Sequence, residues 1–396
     1  MRTRVTAGLV VVILTAVLPG GAAAAATTGP KWTAVPAVPL PDGATAGVLE
    51  DVTVVSPTDV WAVGAWADTG LHPITVHWDG SAWTWEPGPD SVGSTGVHRL
   101  SAVDGLAADQ VWAVAAAPSE VGEVAAALHY DGVAWHTVPV PSTSPDTSTT
   151  LSDVDMLSTD DGWAVGEVTA WKAPTQPYVL RWRQGQWTPV PTPAGMTDAG
   201  LESVFAAAPD DVWAVGSRRL TTGRRVALVL HWNGAAWAEL APPDGGRSDS
   251  LVSVAASPGG DVWAVGSSCA IAVPAQCAPL VLRGSKGVWQ AVPADNDTAV
   301  LNEVVALSAN EVWLIGHIFN PALPQVDHAE FWNGQRFDTD DTLLTPVPTG
   351  PGAVTLGKPA SAHALAAAAV DTVSHVIWAV GWSLGPPELP HAVFRS

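Results

Sequence analysis

The sequence predicts an all-β fold, a seven-bladed β-propeller whose blades are four-stranded antiparallel sheets. A sextet of the type DVWAVG recurs seven times at a spacing of about fifty residues, and each repeat holds four short apolar segments separated by turn residues. A segment near the N-terminus supplies the strand that the last repeat lacks, so the repeats are expected to close into a ring.

The tryptophan of the sextet sets the period. It recurs after 51, 51, 50, 50, 50 and 65 residues. Seven units at this spacing indicate an array or a closed ring rather than independent domains. The seven positions are Trp61, Trp112, Trp163, Trp213, Trp263, Trp313 and Trp378.

Each unit contains four short segments rich in Val, Trp and Ala, as expected of β-strands. In the fourth unit they are LESVFAAAP, DVWAVGS, VALVLHWNG and AAWAEL. Asn-Gly or Asp-Gly between the last two segments predicts a two-residue hairpin turn in which both residues take positive φ. These pairs are Asp79-Gly80, Asp131-Gly132, Asn233-Gly234 and Asn333-Gly334.

Each residue of the sextet has a predicted role. Its Asp precedes the second strand, where the carboxylate is expected to accept backbone N–H groups. Its Trp is expected to fill the gap between adjacent twisted sheets, with stacking on a sugar as the alternative. The closing Gly allows neighbouring backbones to approach. Further aromatic and histidine residues recur in the third segment, at Trp78, Tyr130, Trp182, Trp232 and Trp332 and at His77, His129 and His231.

The last unit stops at HAVFRS, before a fourth segment. The missing pattern occurs at Lys31–Pro36, where KWTAVP matches QWTPVP at Gln186–Pro191. We therefore predict that 31–36 forms the closing strand of blade seven and protects edges that an open array would expose. Residues 27–396 then form one domain, with 339–362 as a long loop between blades.

Residues 1–26 are predicted to be a secretory signal peptide. Arg2 and Arg4 precede a short apolar run at 5–18, and Ala22–Ala26 offers a cleavage site. The alternative is a retained membrane anchor, but the run is too short to span a bilayer. The mature chain is expected to be secreted and extracellular, without stable membrane insertion.

The charge of the chain limits its partners. The formal net charge is −21, and removal of the two arginines with the signal peptide makes it −23. Such a surface repels nucleic acid and anionic membranes, so neither is an expected partner.

Cys269 and Cys277 are the two cysteines of the chain. In an oxidising compartment a disulfide that closes a short loop is the leading prediction. Two free thiols or half of a metal site are the alternatives, although no CxxC motif or histidine pair stands nearby.

The DVWAVG…HWDG…W repeats resemble those of secreted bacterial β-propellers, which are distantly similar to kelch and galactose-oxidase-like propellers. The resemblance covers residues 31–396 and implies the fold without implying one activity. The chain lacks the double glycine of kelch repeats, and only Tyr130 and Tyr178 are available for a copper site of the galactose-oxidase type. No cofactor and no metal are therefore expected.

Variable connections on one face of the ring are the expected place for binding. These are the connections between second and third strands and between blades. The segment 217–225 contains the candidate binding residues, which could clamp an acidic partner or could simply be solvated. They are Arg218, Arg219, Arg224 and Arg225.

Acidic residues near the start of the first strands could crowd around the axial mouth. Like charges held close raise one another's pKa, which suits acid–base catalysis or cation binding; the alternative is that they bond blade backbones and channel water. The candidate catalytic residues are Glu50, Asp51, Glu202 and Glu303. Asp295–Asp297 and Asp338–Asp341 also have calcium-like spacing, but neither fits the EF-hand loop and such segments are more often solvated turns.

Three functions remain open at this stage. The first is a non-catalytic, monomeric propeller that binds a protein or glycan through the variable loops. The second is a hydrolase or lyase that acts on extracellular polysaccharide with axial carboxylates. The third is a structural surface module. No HExxH, phosphate loop, GxSxG or GxGxxG motif is present to favour another chemistry.

Overall fold

The structure is a computed structural model in which 28 strands form seven four-stranded antiparallel sheets. It describes residues 32–396 except 37, 89–95, 121, 142, 259, 272–275, 286, 319–325, 341–342, 344–361, 372–373, 375, 385–388 and 396. Within these residues there is no helix. The predicted signal peptide and most of the predicted loop at 339–362 lie outside the described residues.

The first four blades each contain four consecutive strands. Blade 1 has β2 (Ala46–Ser56), β3 (Asp59–Ala67), β4 (Leu71–Trp78) and β5 (Trp83–Trp85). Blade 2 has β6 (Arg99–Ala107), β7 (Gln110–Ser119), β8 (Gly122–Tyr130) and β9 (Trp135–Val138). Blade 3 has β10 (Thr147–Ser158), β11 (Asp161–Ala170), β12 (Gln176–Arg183) and β13 (Gln186–Pro189). Blade 4 has β14 (Ala199–Ala208), β15 (Asp211–Arg219), β16 (Arg225–Trp232) and β17 (Trp237–Leu240).

Blades 5 and 6 follow the same plan, and blade 7 combines both ends of the chain. Blade 5 has β18 (Ser248–Ala256), β19 (Val262–Cys269), β20 (Cys277–Ser285) and β21 (Val288–Ala291). Blade 6 has β22 (Ala299–Ser308), β23 (Glu311–Ile318), β24 (Val326–Trp332) and β25 (Phe337–Thr339). Blade 7 has β26 (Ala362–Asp371), β27 (Val376–Leu384), β28 (Leu389–Arg395) and β1 (Trp32–Ala34).

The ring closes as the sequence predicts. Strand β1 pairs antiparallel with β28, with Trp32 opposite Arg395. Blade 7 also packs on blade 1, because the ring centroid of Trp378 lies 5.4 Å from that of Trp78 and 5.7 Å from that of Trp83. The seven-bladed, N-terminally closed propeller is therefore confirmed.

The sextet tryptophans form the core between consecutive blades. Trp163 of blade 3 is completely buried, 5.1 Å from Trp232 and edge-on to Trp237 at 5.3 Å, both in blade 4. Aromatic pairs in such geometry contribute about 0.5–1.5 kcal/mol each beyond their burial. Of the seven, only Trp213 is half-buried and the rest are buried. Packing, rather than sugar stacking, is therefore the role of this set.

Each first strand carries a β-bulge directly after its leucine, for example between Leu201 and Ser203. The closing glycine of the sextet lies opposite this bulge. A Cβ on Gly216 would lie 2.1 Å from the carbonyl oxygen of Gly200, so the backbone would have to shift to admit a side chain there. Glycine thus suits the close approach that the sequence predicts, and blade 2 is the exception, with Ala115 opposite Leu100.

The predicted two-residue turns are wrong. Trp78 pairs with Trp83, so four residues form the turn, and the Oδ1 atom of Asp79 accepts N–H groups from Ser81 at 2.8 Å and Ala82 at 2.9 Å. Only the glycine, Gly80, has positive φ. The side chain closes the turn, so the aspartate keeps an ordinary backbone conformation.

The predicted partner of the sextet aspartate is also wrong. The Oδ1 atom of Asp59 accepts hydrogen bonds from Trp61 Nε1 and His77 Nε2, both at 2.9 Å, rather than from backbone groups. The imidazole of His77 stacks on Trp61 at 4.4 Å. In blade 3 an arginine replaces the histidine, and its guanidinium lies 4.7 Å from the Trp163 ring centroid. The aspartate therefore orients the cover of the core tryptophan.

Candidate functional site

Two faces of the ring must be distinguished. The loop face contains the connections between second and third strands, including 68–70, 171–175 and 220–224, and the starts of the first strands. The turn face contains the connections between first and second and between third and fourth strands. All four candidate catalytic residues lie one or two residues after the first leucine of a first strand, at the axial mouth of the loop face: Glu50 and Glu202 directly follow it, and Asp51 and Glu303 lie one residue further on.

The axial carboxylates join neighbouring blades. The Oδ2 atom of Asp51 in blade 1 accepts the N–H of Val103 in blade 2 at 2.8 Å, and Asp153 in blade 3 accepts that of Val204 in blade 4 at 2.8 Å. Both aspartates lie two residues after the first-strand leucine. Each carboxylate therefore satisfies a backbone donor that its own blade cannot reach.

A second layer repeats the arrangement two residues further on. The Oδ2 atom of Asp104 accepts the N–H of Met156 at 2.7 Å, and Oδ2 of Asp155 accepts that of Ala206 at 2.7 Å. These two aspartates are not among the residues predicted from the sequence. Their spacing of two residues from the first layer, on the same face of the strand, is the signal that could have found them.

Hydroxyl groups continue the first layer around the ring. Ser203 Oγ accepts the N–H of Val254 at 3.3 Å, and Ser253 Oγ accepts that of Val304 at 3.1 Å. The Ser253 hydroxyl in turn donates to the carboxylate of Glu303. Asp51 and Glu303 are therefore both hydrogen-bonded into joints between blades.

Burial in the axial channel raises the pKa values of these carboxyls. Burial raises the pKa of Asp153 to about 6 and that of Glu303 to about 8. The pKa of Asp51 is raised well above its usual range by burial and then by the charges of Asp153 and Glu303. Glu303 is consequently mostly protonated near neutral pH, which lowers its repulsion with the neighbouring carboxylates.

The other two candidates lie closer to the surface. Arg99 of blade 2 forms an ion pair with Glu50 at 2.8 Å. Glu202 is exposed, and its pKa is raised by partial loss of hydration and by the charge of Glu167, against the opposing effect of Arg225. The charge that raises the pKa of Glu202 is thus that of Glu167, a residue not predicted from the sequence, and not that of another candidate.

The arginine segment is well braced. Arg224 makes a two-pronged ion pair with Asp244, both distances being 2.7 Å, and donates to the carbonyl of Arg247 at 2.8 Å. Arg218 pairs with Glu239 at 3.1 Å. The remaining two arginines are exposed on the loop face. They are Arg219 and Arg225.

Cys269 and Cys277 are joined by a disulfide. They are directly opposite in the pairing of β19 with β20, so the bond closes the base of a loop-face connection. Arg247 supports the same base by donating to the carbonyl of Ser268 at 2.9 Å and that of Gln276 at 3.2 Å.

Large apolar side chains are exposed on the loop face. The indole of Trp171, at the tip of the blade 3 connection, is 87% exposed and carries Lys172 over its ring at 5.8 Å. Leu71, Val124 and Ile271 are exposed on the same face. Trp171 is not among the residues predicted from the sequence, although it stands outside every repeated tryptophan position.

The acidic segments with calcium-like spacing are tied up by hydrogen bonds. Asp295 accepts the N–H and hydroxyl of Thr339 at 3.0 and 2.6 Å, and Asp338 forms an ion pair with Arg336 at 2.7 Å. Asp341 lies outside the described residues. Over the part of the chain that the structure covers, no group of three or more His, Cys, Asp or Glu side chains could hold a metal ion. No helix among those residues has the length and apolarity to cross a membrane.

Comparison with known proteins identifies the fold class, a seven-bladed β-propeller. No family model matches the chain, and no curated protein matches it. Among solved structures, YCF48 from Cyanidioschyzon merolae has a TM-score of 0.53 at 13% identity, with 92% of this chain and 98% of that chain covered. A protein of unknown function from Dyadobacter fermentans gives 0.52 at 12%, with 93% and 99% covered.

The polysaccharide lyase Uly1 gives a TM-score of 0.52 at 10% identity, with 94% of both chains covered. Fucose-binding lectins are also among the similar propellers, at TM-scores below 0.5. Similarities at these identities show the fold alone. The resemblance to secreted bacterial, kelch and galactose-oxidase-like propellers accordingly stays a prediction.

Proposed function

We propose that this chain is a monomeric, non-catalytic binding propeller that works outside the cytoplasm and recognises a glycan or protein through its loop face. The observation that carries the proposal is the indole of Trp171, 87% exposed at the tip of a loop on that face. The disulfide and the predicted signal peptide support an extracellular location.

An exposed tryptophan on a rigid ring is typical of a recognition surface. Tryptophan contributes disproportionately to binding energy because its large, flat ring loses little conformational freedom when it is covered. Leu71 and Ile271 extend the apolar character of this face into other blades. The turn face, by contrast, exposes Val133 and Val288 but no aromatic ring in its described connections.

The hydrogen bonding of the axial carboxylates supports binding rather than catalysis. Asp51 accepts a backbone N–H of blade 2 and Glu303 accepts the Ser253 hydroxyl of blade 5, so a substrate would have to compete with the joints between blades. Those contacts favour a scaffold role for the channel.

Binding is tested by applying the purified protein to a glycan array and to cell-envelope polysaccharides. Trp171→Ala should weaken the strongest interaction by about 5- to 30-fold, corresponding to about 1–2 kcal/mol. Trp85→Ala is the matched control, because Trp85 is 44% exposed on an outermost strand. Equal binding by wild type and Trp171→Ala, or no binding to any glycan or envelope fraction, would contradict the proposal.

Glu167 and Glu202 favour a second candidate function, a hydrolase or lyase acting on extracellular polysaccharide. Burial raises the pKa of Glu167 and loss of hydration raises that of Glu202, and Glu167 further raises the pKa of Glu202. Two neighbouring carboxyls of this kind suit an acid–base pair.

The enzyme hypothesis is tested by measuring reducing-end release and unsaturated product from a polysaccharide panel. Glu202→Gln and Glu167→Gln should each reduce turnover at least 100-fold, whereas Glu239→Gln, which changes a loop-face carboxylate paired with Arg218, should not. Turnover that survives both substitutions would remove this pair from consideration.

A further inference from the structure

The repeat is broken at the boundary between blades 6 and 7. In blade 4 the third-strand residue opposite Val212 is Trp232, whose ring packs on the sextet tryptophan of blade 3. The corresponding residue of blade 7, opposite Ile377, is Arg395. A planar cation thus stands where the repeat places an indole.

A second substitution lies on the other side of the same boundary. The residue opposite the sextet tryptophan is His231 in blade 4 but Phe331 in blade 6. Blade 6 therefore supplies no cation to cover Trp313. The cover comes from blade 7, where the guanidinium of Arg395 lies 4.2 Å from the Trp313 ring centroid.

Both of these residues, Phe331 and Arg395, line an open cleft of 330 Å³ on the turn face. Small-molecule sites span about 300–1,000 Å³, so this volume suits a single ring and not a chain of several. The cleft is lined by Ser308, Asn310, Glu311, Trp313, Phe331 and Arg395.

The lining combines complementary polar groups with an apolar ring. Arg395 offers guanidinium donors, Glu311 offers carboxylate acceptors, and the Asn310 amide and Ser308 hydroxyl can act as both. Phe331 supplies an apolar surface. Because opposite charges stand together in the cleft, a ligand with a large net charge gains little, whereas neighbouring hydroxyl groups can bond both charges.

Arg395 is held in place before any ligand arrives. Its Nε atom lies 3.2 Å from Asp340 Oδ2, its ring contact with Trp313 fixes the guanidinium plane, and its side chain is only 19% exposed. A pre-ordered side chain loses little conformational freedom on binding, which favours affinity for a small ligand.

We propose that this cleft binds one neutral sugar ring, with hydroxyl groups bridging Arg395 and Glu311 and a carbon–hydrogen face on Phe331. The site lies on the opposite face from Trp171 and does not depend on the proposed loop-face function. The ligand could be a free sugar or the terminal residue of a longer glycan, since both present the same ring.

The test uses ligand-observed NMR and calorimetry with the methyl glycosides of glucose, galactose, mannose and fucose. At least one glycoside is expected to bind. A disaccharide that ends in the same sugar ring then distinguishes the two sources of ligand. A site for chain ends should bind the disaccharide at least as tightly as the methyl glycoside, whereas a site for free sugars should bind it more weakly. Arg395→Trp restores the repeat residue and fills the cleft, so binding should fall at least tenfold while the melting temperature is retained.

Two further variants keep the outcome clear if Arg395→Trp fails to fold. Glu311→Gln should weaken binding about tenfold with little change in shape, whereas Arg183→Trp, an exposed arginine at the end of a third strand, should leave it unchanged. Trp171→Ala should also leave it unchanged. Absence of binding by all four glycosides, or undiminished binding by both Arg395→Trp and Glu311→Gln, would overturn the proposal.

Discussion

The raised pKa of Glu303 predicts that the ring loses stability as pH rises, and that Glu303→Gln removes much of that loss. In the folded chain burial raises this pKa from 4.5 to about 8, while the Ser253 hydroxyl bond opposes the shift. Between about pH 4.5 and pH 8, the folded state therefore keeps a proton on Glu303 that the unfolded state has already released. Across that window the unfolded state binds fewer protons, so the free energy of unfolding falls with increasing pH.

The magnitude follows from the shift. A difference of about 3.5 pH units at about 1.36 kcal/mol per unit gives an upper bound of about 5 kcal/mol, and relaxation around the charged form should reduce it to roughly 2–4 kcal/mol. Glutamine resembles the protonated carboxyl and cannot ionise. Glu303→Gln should match wild type near pH 4.5 and exceed it by roughly 2–4 kcal/mol at pH 8.5.

The assay is denaturant unfolding followed by tryptophan fluorescence at pH values from 4.5 to 8.5. Glu123→Gln, at an exposed carboxyl of blade 2, controls for the loss of one negative charge. Parallel pH profiles for wild type and Glu303→Gln, or a variant that is less stable at pH 8.5, would refute the reasoning.

Three other perturbations test the architecture. Asp104→Ala should lower the free energy of unfolding by about 1–3 kcal/mol in denaturant titrations, because the N–H of Met156 then loses its partner in a buried joint; an unchanged midpoint would count against the role of the second layer. Gly216→Ala should lower the melting temperature by several degrees because of the 2.1 Å approach, whereas Gly245→Ala, with open space around it, should not; equal melting temperatures would contradict the packing argument. Reduction of the disulfide should lower the free energy of unfolding by about 2–3 kcal/mol, since the closed loop is short. Calorimetric scans with and without reductant measure this loss. Equal melting temperatures would indicate that hydrogen bonds alone hold the loop.

The periodic features of the fold could be predicted from the sequence because a repeat reuses the same contact. The spacing of Trp163 and its equivalents predicts the blades, and the match between Lys31–Pro36 and a fourth strand predicts ring closure. The turn at Asp79-Gly80 was assigned to the wrong type because the pattern does not reveal whether an aspartate side chain or a positive φ closes the turn.

The candidate site was harder to predict because its contacts cross between blades. The partner of Asp51 is a backbone N–H about fifty residues away, and only the bulged first strands bring the two together. Glu167 belongs to a second strand and meets Glu202 across a blade boundary. Acidic residues near the propeller axis can be found in the sequence. Whether each one bonds the next blade, forms an ion pair or stays exposed depends on the pairing register of the strands.

The regularity of the ring also indicates where to look for function. Residues that obey the repeat are occupied: the indole of Trp163 fills a blade boundary and Asp153 bonds the next blade. A residue that departs from the repeat does not make the repeated contact. The loss of stability that follows is tolerated only where the ring remains closed. Trp171 and Arg395 are such departures; the first is 87% exposed, the second borders a cleft, and they lie on opposite faces. If ligand binding maps to positions that follow the repeat instead, this link between irregularity and recognition is wrong for this propeller.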